Sequence, residues 1–212
     1  SPSDSLMAIM DSLGGFDARE IGFASMVAFP NEKGSKLAQI RGIEGGFPFY
    51  GNLETEPETA ASSYQDQGTA LVDATLMLQF GLKLGDTIKI GNATLPIGGA
   101  LKSVPGTNTF SSSIAPPILI PYSYIETSGL VQTGSRLNYD FYFVAKPDTN
   151  LELLNETLND KLRAIDADLD IHTTTSERLG RRYDNFGKFL NLVAFIALLL
   201  GCMGIASAVY IY

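Results

Sequence analysis

The sequence predicts an α+β fold followed by one membrane helix, and three observations carry that expectation. Strand-like segments separated by Gly, Pro and Asn turns recur between Ile21 and Val144. Two stretches flanking that region, Pro2 to Leu13 and Leu151 to Ile165, space their apolar residues as helices do. The run Phe189 to Tyr212 contains no Asp, Glu, Lys, Arg or Pro. A bilayer core of roughly 30 Å needs about 20 helical residues at about 1.5 Å each, so this run can span with some tilt. Ala197, Gly201, Gly204 and Ala208 stand three and four apart within it, leaving one face nearly bare for close approach of another membrane helix.

In chain order, Leu6, Ile9, Met10 and Leu13 mark a first helix that Gly14-Gly15 should stop. Ile21–Phe29 and Lys36–Ile43 read as strands joined across the NEKGS turn, a hairpin. Gly45 to Gly51 and the acidic stretch with Glu54, Glu56 and Glu58 read as a solvated loop. Gly68–Asp73 is a short strand and Ala74–Phe80 a short helix. Thr87–Ile90 turns at Gly91-Asn92 into Thr94–Ile97, where Pro96 predicts an edge strand. Val104–Ala115 is a loop and Pro117–Pro121 a strand. Tyr139–Val144 is an aromatic strand, and Thr149 with Glu152 has capping-box spacing before a helix striped by Leu151, Leu154, Leu158, Leu162 and Ile165. A last strand is expected at Leu169–His172, and a charged helix from Thr175 runs into the apolar span.

The expected organisation is a split one. Residues 1–45 and 136–175 form one α+β part, and residues 46–135 form a β-rich insertion between them. Residues 176–188 make a stalk helix and residues 189–212 the membrane helix.

The formal charge of −8 argues against nucleic acid and against a polybasic grip on anionic lipid. The one cysteine, Cys202, lies in the apolar run, so no disulfide within the chain and no thiolate metal site is expected. Ser1 opens directly in a polar, helix-like segment. If the soluble part lies outside the cytoplasm, an export signal or membrane helix is expected upstream.

Catalytic chemistry finds no foothold in the residues. His172 is the only histidine, and GxSxG, GxxxxGK[ST], HExxH and CxxC are absent. The best metal pattern is Asp166, Asp168 and Asp170 with Glu177, which matches EF-hand positions one, three, five and twelve. Position six, however, is Ile171 where the sharp turn needs glycine, and aspartates alternating on the wet side of a strand explain the spacing as well. Asn92-Ala93-Thr94 and Asn155-Glu156-Thr157 match the glycosylation sequon and are given no role. No catalytic, cofactor-binding or metal residue is assigned.

Four stretches in order, Arg41–Leu53, Gly81–Gly99, Ser128–Tyr139 and Phe189–Tyr212, resemble the extracytoplasmic domain and second transmembrane helix of FtsX-like, MacB-type ABC transporter permeases, most closely the YbbP-like branch. The resemblance implies a MacB-like periplasmic domain with a split α+β porter part, residues 1–45 and 136–175, and a β-rich sabre insertion, residues 46–135. It implies a non-catalytic permease subunit of the bacterial cytoplasmic (inner) membrane with its soluble domain periplasmic. The implied partners are a cytoplasmic ABC ATPase subunit, a second permease copy, membrane lipid and a periplasmic partner protein. ATP hydrolysis in the ATPase would drive conformational change outside the membrane by mechanotransmission, for export, extraction or signalling. Arg181, Arg182 and Lys188 precede the span, and the positive-inside rule alone would assign that flank to the cytoplasm, whereas the resemblance places it outside. The competing readings are a membrane-tethered binding or sensor domain without an ATPase and a membrane-anchored enzyme.

Overall fold

The computed structural model describes residues 4–30, 34–49, 51–105, 114–132, 137–145, 149–165, 167–169 and 172–211, with the backbone alone at 4, 160, 172–186, 204, 207–209 and 211. Two units are distinguished, Ser1–Val144 and Ala145–Tyr212. In the first, α1 (Asp4–Leu13) ends where Gly14 and Gly15 take φ of 102° and 92°, and the Gly15 N–H donates to Met10 O at 3.0 Å. Those positive φ values are what glycine permits at a helix stop.

β1 (Ala18–Ala28) and β2 (Ser35–Gly45) form the expected hairpin, paired antiparallel from Ala18↔Gly45 to Ala28↔Ser35. There follow β3 (Glu54–Glu56), α2 (Ala60–Gln67), β4 (Ala70–Asp73) and α3 (Ala74–Phe80). After them come β5 (Thr87–Ile90), β6 (Ala93–Ser103), β7 (Pro117–Pro121), α4 (Ser123–Ser128) and β8 (Asn138–Tyr142). The sheet runs β2-β7-β4-β6-β5-β1-β8, with β3 on β6 and a further β1–β2 pairing. That last pairing closes a circuit β1-β2-β7-β4-β6-β5, from which β8 branches off β1. Strands from 18–45, 54–121 and 138–142 therefore share one sheet, in which β1 pairs β5 and β2 pairs β7.

Two cores lie on opposite faces of this sheet. Ala70, Val72, Ile118 and Ile120 enter one, with Ile21, Phe23, Val27 and Ile40. Leu71 and Leu119, between them in sequence, enter the other with Ile43, Ala60, Tyr64 and Leu101. β4 and β7 are thus buried on both faces, which accounts for their unbroken apolar sequences. β6 changes face along its length: Ala93, Leu95 and Ile97 belong to the first core and Leu101 to the second. The switch is a bulge, since Ala70 pairs Ile97 but Leu71 pairs Gly99. Glycine is required there, because a Cβ on Gly99 would stand 2.6 Å from Ala60 Cβ.

Several expectations are corrected. The acidic stretch is ordered as β3 and the approach to α2, with Glu56 paired to Lys102 at 2.7 Å, because Thr55 and Ala60 turn inward to be buried. β6 is an interior strand rather than an edge. Pro96 is tolerated because Ile97 makes the bonds toward β5 (Ile97 N to Asp86 O, 2.7 Å) and β4 begins pairing only at Ile97.

In the second unit, α5 (Leu151–Arg163) is capped by Asn150 instead of Thr149: its Oδ1 accepts from the Glu152 and Leu153 N–H groups, both at 3.1 Å. Leu169 lies outside any strand, and His172 opens a helix, α6 (His172–Ile211), of 40 residues. The charged segment from Thr175 and the apolar run are one continuous helix. Phe189, Leu192, Phe195, Leu198, Leu200 and Met203 are exposed. Among the described residues no helix is long and apolar enough to cross a membrane; side chains are described without interruption only from Gly187 to Met203.

Candidate functional site

On the face of the β1–β2 hairpin that carries the second core, the position opposite Ile43 holds a carboxylate, Glu20. Glu20 is 5% exposed and is the one carboxylate in the buried set among the described residues. The register explains its partners. Gly22 stands opposite Arg41, and Ala18 opposite Tyr142, so Arg41 and Tyr142 each reach Glu20 from a diagonal position on the same face. Arg41 donates from Nε to Oε1 at 2.5 Å and from Nη2 to Oε2 at 2.8 Å, a two-pronged contact. The Tyr142 hydroxyl donates to Oε2 at 3.0 Å.

Aromatic rings enclose this pair. The Arg41 guanidinium lies 5.1 Å from the Phe47 ring centroid, within cation–π range. Phe47 and Phe49 stand 5.7 and 5.9 Å from the Tyr142 ring. The Phe47–Pro48 peptide is cis. Burial works against the Arg41 cation, but the hydrogen bond and charge of Glu20 outweigh it and raise its pKa. Burial, and then the Glu20 charge, push the Tyr142 phenol up as well. Tyr64 on α2, buried in the second core, is pushed up to about 12, chiefly by burial.

The end of β8 is held twice more. The Asp17 N–H donates to Tyr142 O at 2.8 Å, and the Val144 N–H to Asp17 Oδ2 at 2.7 Å. Phe16 packs edge-on against Phe141 with centroids 5.4 Å apart. On the other face of the hairpin Arg19 pairs with its cross-strand neighbour Glu44 (Nε to Oε2, 2.6 Å), and its guanidinium sits 4.1 Å from the Tyr122 ring. Beside β8 an open depression of about 400 Å³ is lined by Gly22, Ala24, Gln39, Leu130, Leu137 and Asn138. Phe23 and Ser25 also line it, and the strand partner of Phe23, Ala24 and Ser25 among the described residues is β2 alone.

The sequence candidates fall elsewhere. Asp166, Asp170 and Ile171, and the side chains of His172 and Glu177, lie outside the described residues, while Asp168 is exposed. Among the described residues no group of three or more metal-ligating side chains comes together. Glu54, Glu56 and Glu58 are exposed, and Cys202 is a free, exposed thiol. Asn92 and Thr94 lie at the β5–β6 turn, whereas Thr157 Oγ1 donates within α5 to Leu153 O at 2.7 Å. The Glu20–Arg41–Tyr142 cluster escaped sequence reading, although its signal was available. The hairpin turn fixes which residues of β1 and β2 oppose each other, and a Glu and an Arg then fall on one face two positions out of register.

This geometry is one of fixed ionic and aromatic contacts. Comparison with known proteins agrees with the fold. The uncharacterized ABC transporter permease YbbP of Escherichia coli strain K12 is 28% identical over 194 residues, covering 92% of this chain and 23% of that protein. The chain therefore spans under a quarter of that relative's length. Among solved structures, a domain of a protein described as a permease from Porphyromonas gingivalis is 18% identical, with a TM-score of 0.47 and 74% of each chain covered. The periplasmic region of MacB from Actinobacillus actinomycetemcomitans is 15% identical, with a TM-score of 0.47 and 82% of each chain covered. The model of the MacB-like periplasmic core domain matches residues 8–161, most of the chain, and the protein belongs to that family.

Proposed function

We propose that this chain is the extracytoplasmic core domain and adjoining membrane helix of a bacterial ABC transporter permease. In this reading it couples ATP hydrolysis by a separate cytoplasmic ATPase subunit to conformational change outside the membrane, and catalyses nothing itself. The observation that carries it is α6, one helix from His172 to Ile211 that leads from beyond the family-matched region into the apolar run. At about 1.5 Å per residue it is a rod of roughly 60 Å. Residues 176–188 serve as the stalk, and residues 189–212 cross the inner membrane, in contact with lipid and a second permease copy. Family membership and likeness to an ABC transporter permease support the ATPase partner. Residues 1–45 and 136–175 act as the porter-like part and residues 46–135 as the sabre-like part that meets a periplasmic partner, both contributing strands to one sheet.

Topology is the first test. In the full-length protein Cys202 is replaced by alanine and Glu58, exposed ahead of α2, by cysteine. A membrane-impermeant maleimide should label intact spheroplasts, and an affinity tag should then recover a P-loop ATPase. Labelling only after lysis would place the domain in the cytoplasm and reject the proposal. Outside labelling with no ATPase recovered would favour a tethered binding or sensor domain.

A further inference from the structure

We infer that Glu20 is a coupling residue: its carboxylate ties the Gly46–Phe49 segment, where the chain leaves β2, to β8, where the chain leaves the sheet for the helical unit. This inference rests on the permease reading above. Both Glu20 oxygens are engaged by Arg41, and Oε2 also accepts from Tyr142 on β8. The face of the same guanidinium lies against Phe47, and Phe47 and Phe49 in turn contact the Tyr142 ring. Displacing β8 therefore disturbs one carboxylate and two ring contacts together. The end of β8 is fastened to Asp17 through both Tyr142 O and the Val144 N–H, so tension arriving at Val144 is delivered to Tyr142.

Stability alone is a poor account of this arrangement. A buried ion pair roughly breaks even against apolar side chains of the same volume, and its geometry is directional where theirs is not. Side-chain bonds can also part and re-form while the β1–β2 ladder stays closed. The coupling role requires a second arrangement in which β8 is displaced and the Tyr142–Glu20 bond is parted, and the experiment below tests for it.

The test uses the full-length permease with its ATPase in proteoliposomes, in a Cys202→Ala background. Spin labels are placed at cysteines replacing Glu58 and Lys161, both exposed. Tyr142→Phe removes one hydroxyl. Ile118→Val, buried in the first core, serves as a control for a general loss of stability. In Tyr142→Phe the nucleotide-dependent change in label distance should fall by about fivefold while ATP hydrolysis stays within about twofold, and exchange of the Val144 amide should rise by about tenfold. Ile118→Val should preserve the distance change. An undiminished distance change in Tyr142→Phe, or an equal loss in Ile118→Val, overturns the coupling role. Absence of any nucleotide-dependent change in the unsubstituted protein overturns the permease reading, and the coupling role with it.

Discussion

Replacing Arg41 by methionine asks how much the buried carboxylate depends on its cation. The change keeps most of the side-chain volume and removes two hydrogen bonds, of 2.5 and 2.8 Å, from a Glu20 that is 5% exposed. One bond, from Tyr142 at 3.0 Å, remains. Breaking a buried pair from one side costs about 3–5 kcal/mol, because a charge stays behind without compensation. Loss of the guanidinium from Phe47 adds on the order of 1 kcal/mol. Against a typical folding stability of about 5–15 kcal/mol this is a large fraction. With a urea dependence of about 2 kcal/mol per molar, the midpoint followed by circular dichroism should fall by about 2–3 M. Removing both charges, Arg41→Met with Glu20→Leu, should restore much of the loss, leaving a coupling of at least about 2 kcal/mol between the sites. A single-variant shift below about 0.5 M, or a double variant as unstable as the sum of the singles, would refute this account of the cluster.

Gly99→Ala should destabilise by about 1–3 kcal/mol through overpacking, because its Cβ would meet Ala60 Cβ at 2.6 Å, and Ala60→Gly should recover part of that in the same unfolding assay. Asn150→Ala should cost about 1 kcal/mol and shorten α5 by circular dichroism, whereas Thr149→Ala should be close to neutral; the reverse order would move the cap back to Thr149. The Tyr64 phenol, raised to about 12, holds its proton in the fold after the unfolded chain has lost it near 10. Stability should therefore be intact below pH 10 and fall between about pH 10 and 12, by on the order of 2–3 kcal/mol from this residue. Tyr64→Phe should flatten that alkaline limb, and an unchanged limb would count against burial as the cause.

Local patterns foretold local structure and fell silent where partners are distant. The β1–β2 hairpin was legible because a short turn fixes its register; α3 is local as well, and the structure adds its cap, Asp73, which accepts from the Thr75 and Leu76 N–H groups. Pro96 misled because a missing N–H excludes only one bonding direction, and at that residue the direction is free. α2 was passed over because its sequence, AASSYQDQ, carries a weak apolar stripe. It is held instead by the burial of Ala60 and Tyr64 against the face that the Gly98–Gly99 bulge turns toward it. The cluster at Glu20 needed two pieces of knowledge. The hairpin register gives Arg41 from sequence, but Tyr142 arrives from more than a hundred residues away, where no local pattern points to it.

The shortness of its ladder explains why so many side chains gather at β8. β1 is paired along its whole length by β2, but on its other edge only Ala18–Gly22 meet β8 and Val27–Ala28 meet β5. β8 brings just five residue pairs to β1, joining a sheet to which β5 and β7 already tie the intervening chain. What remains to be closed is the stretch from the end of β7 to β8, and that modest cost falls on this one short ladder. The Tyr142–Glu20 and Val144–Asp17 bonds and the Phe16–Phe141 contact add to the ladder where it ends. A strand fastened chiefly by side chains at its exit can yield there without unzipping β1 from β2. The residues that reinforce this short ladder are therefore also those through which a pull on the exit would first be felt.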